Sequence, residues 1–251
     1  MSRIEVDYRL GNILDAWYGQ AHVAVRNACN FTSMTRENTG TFGKFLVDFP
    51  PTHLVPDPSR LFLEDAANWW WTYDYDNHVS VYPYFTDSLR AALAAYFGDG
   101  VPVEANTCVI HYRVGDFLKE KTTLSVECLV AAIDKFENTP TRFEILNGGA
   151  KFRATPELEQ MSHDVLSTLK VLLQEKYPSA SIILIESDNA DADFMRMVNA
   201  PMLLTGPGSF AVMAAAANRN ERLTPAIKNI NFPCSGPIPS ARIYEKWSTY
   251  A

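Results

Sequence analysis

Two short stretches of this chain carry residue types suited to holding an anion, and a third can face them. His111-Tyr112-Arg113-Val114-Gly115-Asp116 follows the apolar run Thr107-Cys108-Val109-Ile110. A guanidinium is a planar fork of donors that matches phosphate oxygens, and a glycine beside it lets the backbone turn tightly. Thr205-Gly206-Pro207-Gly208-Ser209-Phe210 leads into an alanine-rich segment. Glycines there expose backbone N–H groups at a helix start, where the macrodipole favours negative charge, and Ser209 adds a hydroxyl donor. Leu10-Gly11-Asn12 is the third, again between a strand-like and a helix-like run. The chemistry these residues suit is binding of a diphosphate, held between Arg113 and the Ser209 turn and faced by Asn12 across a cleft. Each stretch has an ordinary alternative: Arg113 in a surface ion pair, Gly208-Ser209 as plain helix capping, and Leu10-Gly11-Asn12 as a tripeptide too short to signify by itself. Their shared placement, at the end of a strand and before a helix, is what argues for a common site.

The elements that must position them are clearest in the C-terminal half. Thr107–His111, Arg142–Leu146, Ser181–Ile185 and Met202–Thr205 read as strands. Between the first two, Ser125 is a plausible N-cap, followed by Val126, Leu129, Val130, Ile133 and Phe136 at helical spacing. Thr155-Pro156-Glu157 starts a helix with proline at its first position and an apolar stripe of Leu158, Met161, Val165, Leu169, Leu172 and Leu173. Helices over Asp191–Val198 and Ser209–Asn218 complete the alternation. Strands alternating with helices imply right-handed crossovers and a mostly parallel, Rossmann-like α/β sheet.

The N-terminal half is less regular. Arg3–Tyr8 and Lys44–Phe49 read as strands, and Leu14, Trp17, Tyr18, Ala21, Val25 and Ala28 share one helical face. A further helix from about Thr86 carries Leu89, Ala92, Leu93, Tyr96 and Phe97 before Gly98-Asp99-Gly100-Val101-Pro102 breaks it. The expected division is 1–100, 101–225, and a tail, 226–251, that packs back on the first part. The aromatic run Asn68-Trp69-Trp70-Trp71-Thr72-Tyr73 suits core or interdomain packing, with room for one ring to face an acceptor.

Composition bounds the rest. The chain has 251 residues, 47% hydrophobic and 20% charged, with a net charge of -7. Its pI near 5.3 argues against a general nucleic-acid binder, which displays a basic field. Acidic residues interrupt Met1-Ser2-Arg3-Ile4-Glu5-Val6-Asp7, so no signal peptide is expected. No stretch reaches the roughly 18 apolar residues of a membrane span. Cys29, Cys108, Cys128 and Cys234 are far apart and read as buried free thiols, and Asn30-Phe31-Thr32 as a chance sequon. A cytoplasmic location is expected.

Taken together, the three segments resemble the fucosyltransferase superfamily of GT-B glycosyltransferases. Tyr8-Arg9-Leu10-Gly11-Asn12-Ile13-Leu14 is similar to that family's Gly-x-x-Gly-Asn-type opening loop. His111, Arg113, Gly115 and Asp116 match its His-x-Arg-Arg-Gly-Asp motif. Gly208-Ser209-Phe210, after Ala192-Asp193-Phe194-Met195-Arg196-Met197, resembles its Ser-Phe-type turn into a helix. The resemblance covers roughly residues 1–30 and 105–220.

It implies an α/β, GT-B-like fold with two Rossmann-like halves facing across a cleft, an acceptor-side domain first and a nucleotide-sugar domain second. It implies an inverting, metal-independent transfer, usually of L-fucose from GDP-fucose, to a glycan hydroxyl, with no cofactor. Arg113 would meet the β-phosphate and stabilise the leaving diphosphate. His111 would shape that pocket, Gly208, Ser209 and Phe210 would line the phosphate and nucleoside side, and Gly11 and Asn12 would approach from the other half. The chain departs from the pattern at Val114, where a second Arg is common, and at Asn147-Gly148-Gly149, where many members carry an acidic pair. Asp188 or Asp193 is then the candidate for the nucleoside. For the acceptor's proton the candidates are Glu120 and Asp116, with Asp116 equally suited to capping its own turn. Asp74-Tyr75-Asp76 and Asp191-Ala192-Asp193 are similar in form to the Asp-x-Asp metal sites of GT-A enzymes. Asp191 begins a helix, however, where Asp is favoured anyway, and no metal is expected. The departures leave two alternatives: a different UDP- or GDP-linked deoxysugar or pentose as donor, and a non-catalytic nucleotide- or glycan-binding protein of the same fold.

Overall fold

A computed structural model describes residues 89–98, 100–115, 125–147, 155–185, 189–206, 208–225 and 242–244. The chain divides into two compact units, Met1–Gly100 with Asn229–Pro239, and Val101–Lys228 with Ser240–Ala251. In the first unit residues 89–97 are helical, with Leu89, Ala92 and Leu93 buried at the expected spacing. Tyr96 and Phe97 pack edge to face at 4.6 Å. The helix closes where Gly98 N–H donates to Ala94 O. The strands expected at Arg3–Tyr8 and Lys44–Phe49, the helix between them and the tryptophan run lie outside the described residues.

The second unit is α/β. Its strands are β1 (Thr107–Tyr112), β2 (Arg142–Asn147), β3 (Ser181–Ile185), β4 (Met202–Thr205), β5 (Glu221–Pro225) and the short β6 (Arg242–Tyr244). Its helices are α1 (Val126–Ala132), α2 (Pro156–Lys176), α3 (Ala190–Asn199) and α4 (Ser209–Ala217). All pairings are parallel, in the order β3-β2-β1-β4-β5-β6. That is the doubly wound order: the chain builds outward from β1 in one direction, then returns and builds in the other.

Local sequence explains the starts. Ser125 Oγ accepts from Cys128 N–H at 3.2 Å and caps α1. Thr155 Oγ1 accepts from Leu158 N–H, and Pro156 occupies the first turn of α2. Asn189 Oδ1 accepts from the N–H groups of Asp191 and Ala192 and caps α3. Each cap satisfies donors that a helix start leaves unmatched.

The two faces of the sheet differ in kind. On one, Cys108 and Ile110 of β1 stand beside Phe143 and Ile145 of β2 and Met202 and Leu204 of β4. With Tyr112, Val114 and Leu223 they pack against Val126, Leu129 and Val130 of α1 and Val165, Leu166, Leu169 and Leu173 of α2. Each fully buried aliphatic side chain there contributes roughly 1.5–3 kcal/mol. The other face carries His111, Glu144 and Arg222, all buried, and receives α3 and α4. Glu144 accepts from Arg142 Nε at 3.0 Å and from Arg196 Nη1 at 2.6 Å. Arg196 belongs to α3, so this buried carboxylate ties that helix to β2. At the far end of α4, Asn218 Nδ2 donates to Met197 O and Ala200 O, joining the ends of α3 and α4.

Two details differ from what the sequence predicts. Met161, expected on the buried stripe of α2, is half exposed, and Ser162 is buried in its place. The inward line runs Leu158, Ser162, Val165, Leu169, Leu173, so apolar periodicity alone selects the wrong neighbour. β5 has no counterpart among the expected strands, because Glu221-Arg222-Leu223-Thr224-Pro225 has no apolar run; Arg222 is accommodated by donating to Asn218 O and Asn220 O. Within the tail, Arg242–Tyr244 pairs with β5, whose edge offers unmatched backbone groups.

Candidate functional site

In a doubly wound sheet a crevice opens at the C-terminal ends of the two strands where the winding reverses. Here those strands are β1 and β4. Arg113, Val114 and Gly115 leave β1 at that edge, and Gly206 and Gly208 leave β4 beside them. Two of the three segments singled out in the sequence therefore meet at the switch point. The backbones touch: Gly206 N–H donates to His111 O at 2.7 Å. A β-carbon at position 206 would lie 3.3 Å from both Arg113 N and His111 O, so any larger residue would push the strand ends apart.

Gly208 caps α4 with φ 118 and ψ 146, a conformation that glycine alone adopts readily, and no side chain hydrogen-bonds to the first turn as a cap. A β-carbon here would sit 3.2 Å from Arg113 Nη1 and 3.6 Å from its Cδ. The Arg113 guanidinium thus lies against the backbone immediately before α4. The start of a helix carries roughly half a positive charge and exposes its first N–H groups. A guanidinium and a helix start side by side both draw an anion to one place, and together they offer planar and axial donors. Ser209 opens α4 as expected; its side chain lies outside the described ones.

His111 lines the same corner in a different capacity. It is 4% exposed, its ring centroid lies 5.6 Å from that of Phe210, and Phe210 meets Phe194 of α3 at 5.4 Å. Among the described residues its Nδ1 has no hydrogen-bond partner. Burial first, then the Arg113 charge, push its pKa down from 6.5 to about 3. At neutral pH His111 is an uncharged wall and not a second cation. Between about pH 3 and 6.5 the unfolded chain binds a proton here that the folded chain refuses. This contribution to stability is therefore intact above pH 6.5 and lost progressively as pH falls toward 3. His111→Asn should flatten the decline of melting temperature between about pH 7 and pH 4.5; an unchanged slope would show that His111 protonates freely in the fold.

Val114 points elsewhere. It is fully buried in the cluster shared with α1 and α2, on the face opposite to α4. The position where the family pattern places a second charge is a core position in this chain. Asp193 lies half-buried in the first turn of α3, its N–H donating to Asn189 O, and its neighbour Phe194 brings that turn beside Phe210. Asp191 of the Asp-x-Asp pair is buried in the same capped turn. Gly11, Asn12, Asp116, Glu120 and Asp188 lie outside the described residues.

One residue of this region gives little sign of itself in the sequence. Ser162 of α2 is fully buried, donates to Leu158 O at 2.7 Å, and accepts from Gly115 N–H at 3.0 Å. Its only sequence signal is a polar type on an otherwise apolar stripe. Among the described residues no three His, Cys, Asp or Glu side chains gather as metal ligands, and no helix is long and apolar enough to cross a membrane. Comparison with protein-family models, curated proteins and solved structures found no match.

Proposed function

We propose that the chain is an inverting glycosyltransferase that takes a nucleotide-sugar donor, GDP-fucose first among them, and transfers the sugar to a glycan hydroxyl without a metal. The observation that carries the reading is the Arg113 guanidinium lying against Gly208 at the start of α4, where the winding of the sheet reverses. The three-segment resemblance to fucosyltransferases supplies the reaction, and with it the two-domain GT-B arrangement whose cleft the acceptor enters.

In the transfer, the bond from the sugar's anomeric carbon to the β-phosphate oxygen breaks as the bond to the acceptor oxygen forms on the opposite face. The nucleoside diphosphate leaves with the electron pair, and its growing charge is met by Arg113 and the N–H groups at the start of α4. The acceptor's proton passes to a carboxylate, for which Glu120 and Asp116 are the candidates. His111, being neutral, shapes the pocket without adding charge. Asn147, which ends β2 where an acidic pair would read guanine, favours a second donor reading, a UDP- or GDP-linked deoxysugar or pentose.

The test is a thermal-shift and titration panel of GDP-fucose, GDP, UDP and pyrophosphate on the full chain. A bound nucleotide at about a hundredfold its Kd should stabilise the fold by about 2.7 kcal/mol. Arg113→Ala should weaken that binding about tenfold, in line with loss of a charge-assisted hydrogen bond, and should lower transfer to a glycan acceptor with it. Undiminished affinity in a folded Arg113→Ala variant would sink the reading. Binding of nucleotide with no transfer to any acceptor would favour the non-catalytic alternative.

A further inference from the structure

The stretch that carries Arg113 is fastened on both sides. Upstream, His111 O accepts the Gly206 N–H at 2.7 Å, which fixes the end of β1 against β4. Downstream, Val114 is sunk in the core, and Gly115, at φ 69, donates its N–H to Ser162 Oγ at 3.0 Å in a buried bond. Ser162 is itself fixed, since its hydroxyl hydrogen goes to Leu158 O at 2.7 Å within α2. The hydroxyl is thus oriented as an acceptor toward the turn. α2 packs on the face of the sheet opposite to α4, so Ser162 stands away from the start of α4 that Arg113 approaches.

We propose that Ser162 is a positioning residue for Arg113, holding the Gly115 turn so that the guanidinium rests against Gly208 and meets a diphosphate in place. This rests on the reading of Arg113 as a diphosphate ligand. The physical cause is the cost of a buried N–H with no acceptor. Without the Ser162 hydroxyl the Gly115 amide loses this acceptor, and the turn must shift to find another. A shift of the turn moves Arg113, two residues upstream, off the helix start. Small misplacements of a positioned group cost binding and rate steeply. The side chain is serine because a hydroxyl one turn from Leu158 can return its proton to the helix backbone and still accept.

The experiment measures GDP affinity by titration calorimetry, with melting temperature recorded alongside, for the wild type, Ser162→Ala, Ser162→Thr, Arg113→Ala and the double variant. Ser162→Ala should bind GDP roughly tenfold more weakly. Ser162→Thr, which keeps the hydroxyl, should restore most of that loss. In the Arg113→Ala background, Ser162→Ala should cause no further loss, because there is no guanidinium left to position. A merely structural serine predicts a lower melting temperature with unchanged affinity, or losses that add in the double variant; either result overturns the proposal. If Ser162→Ala does not fold, Ser162→Cys, close in volume but a weak acceptor, should bind GDP a few-fold more weakly, and wild-type affinity there overturns it equally. Failure of the wild type to bind GDP, or an Arg113→Ala variant of full affinity, sinks the diphosphate reading and this proposal with it. A weakened Arg113→Ala beside a fully binding Ser162→Ala sinks the positioning role alone.

Discussion

Val114→Arg, which would complete a double-arginine motif, should destabilise the second unit by about 4 kcal/mol and leave GDP affinity no better. Val114 is fully buried beside Tyr112 and the apolar faces of α1 and α2. An arginine there has to bring a charge into a site with no carboxylate among the cluster residues, and also displace well-packed neighbours. Both effects oppose folding, and their sum is a large share of the roughly 5–15 kcal/mol that holds a domain together. Urea denaturation reads the loss as a lower midpoint at constant slope. A variant of near-wild-type midpoint that binds GDP more tightly would show that position 114 faces the ligand after all. On the proposed function, a diphosphate would be met by the single arginine after β1 and by the backbone N–H groups at the start of α4.

Gly208→Val should cost about 3 kcal/mol and remove nucleotide binding more completely than Arg113→Ala does. At φ 118 a β-branched residue is strained wherever its side chain goes. Its β-carbon would also meet Arg113 Nη1 at 3.2 Å, and the further methyl groups would drive the guanidinium off the helix start. The substitution therefore disturbs both sources of positive charge at once. Gly208→Ala, with the same backbone strain but a smaller intrusion, should fall between Gly208→Val and the wild type. Equal affinity in all three proteins would mean that the start of α4 is not part of the ligand site. Pyrophosphate titration distinguishes this from a defect in base recognition, since it carries no nucleoside.

The architecture of the second unit is legible in the sequence because its signals are local. Ser181–Ile185 and Met202–Thr205 are short apolar runs bounded by turn residues, and they form strands over those same spans. Ser125 and Thr155 announce α1 and α2 by cap chemistry that needs no tertiary partner. What escapes is set by neighbours far along the chain. Arg222 is buried in β5 where Asn218 and Asn220 present carbonyls to it, and Ser162 matters because Gly115 lies beside it in space. The meeting of Arg113 with Gly208 is legible in outline, as two anion-suited turns at strand ends. That they touch depends on β4 pairing with β1, a register no single segment encodes.

Asn218 adds a dynamic consequence. Its amide fastens the end of α4 to Met197 and Ala200, while Ala211, Met213, Ala214, Ala215 and Ala217 are all buried along the helix. A helix anchored at its tail and buried at these five positions should exchange its amides only as the surrounding sheet opens, which hydrogen exchange would read. If the start of α4 holds a diphosphate as proposed, its N–H groups would be aimed in advance and binding would cost little ordering entropy.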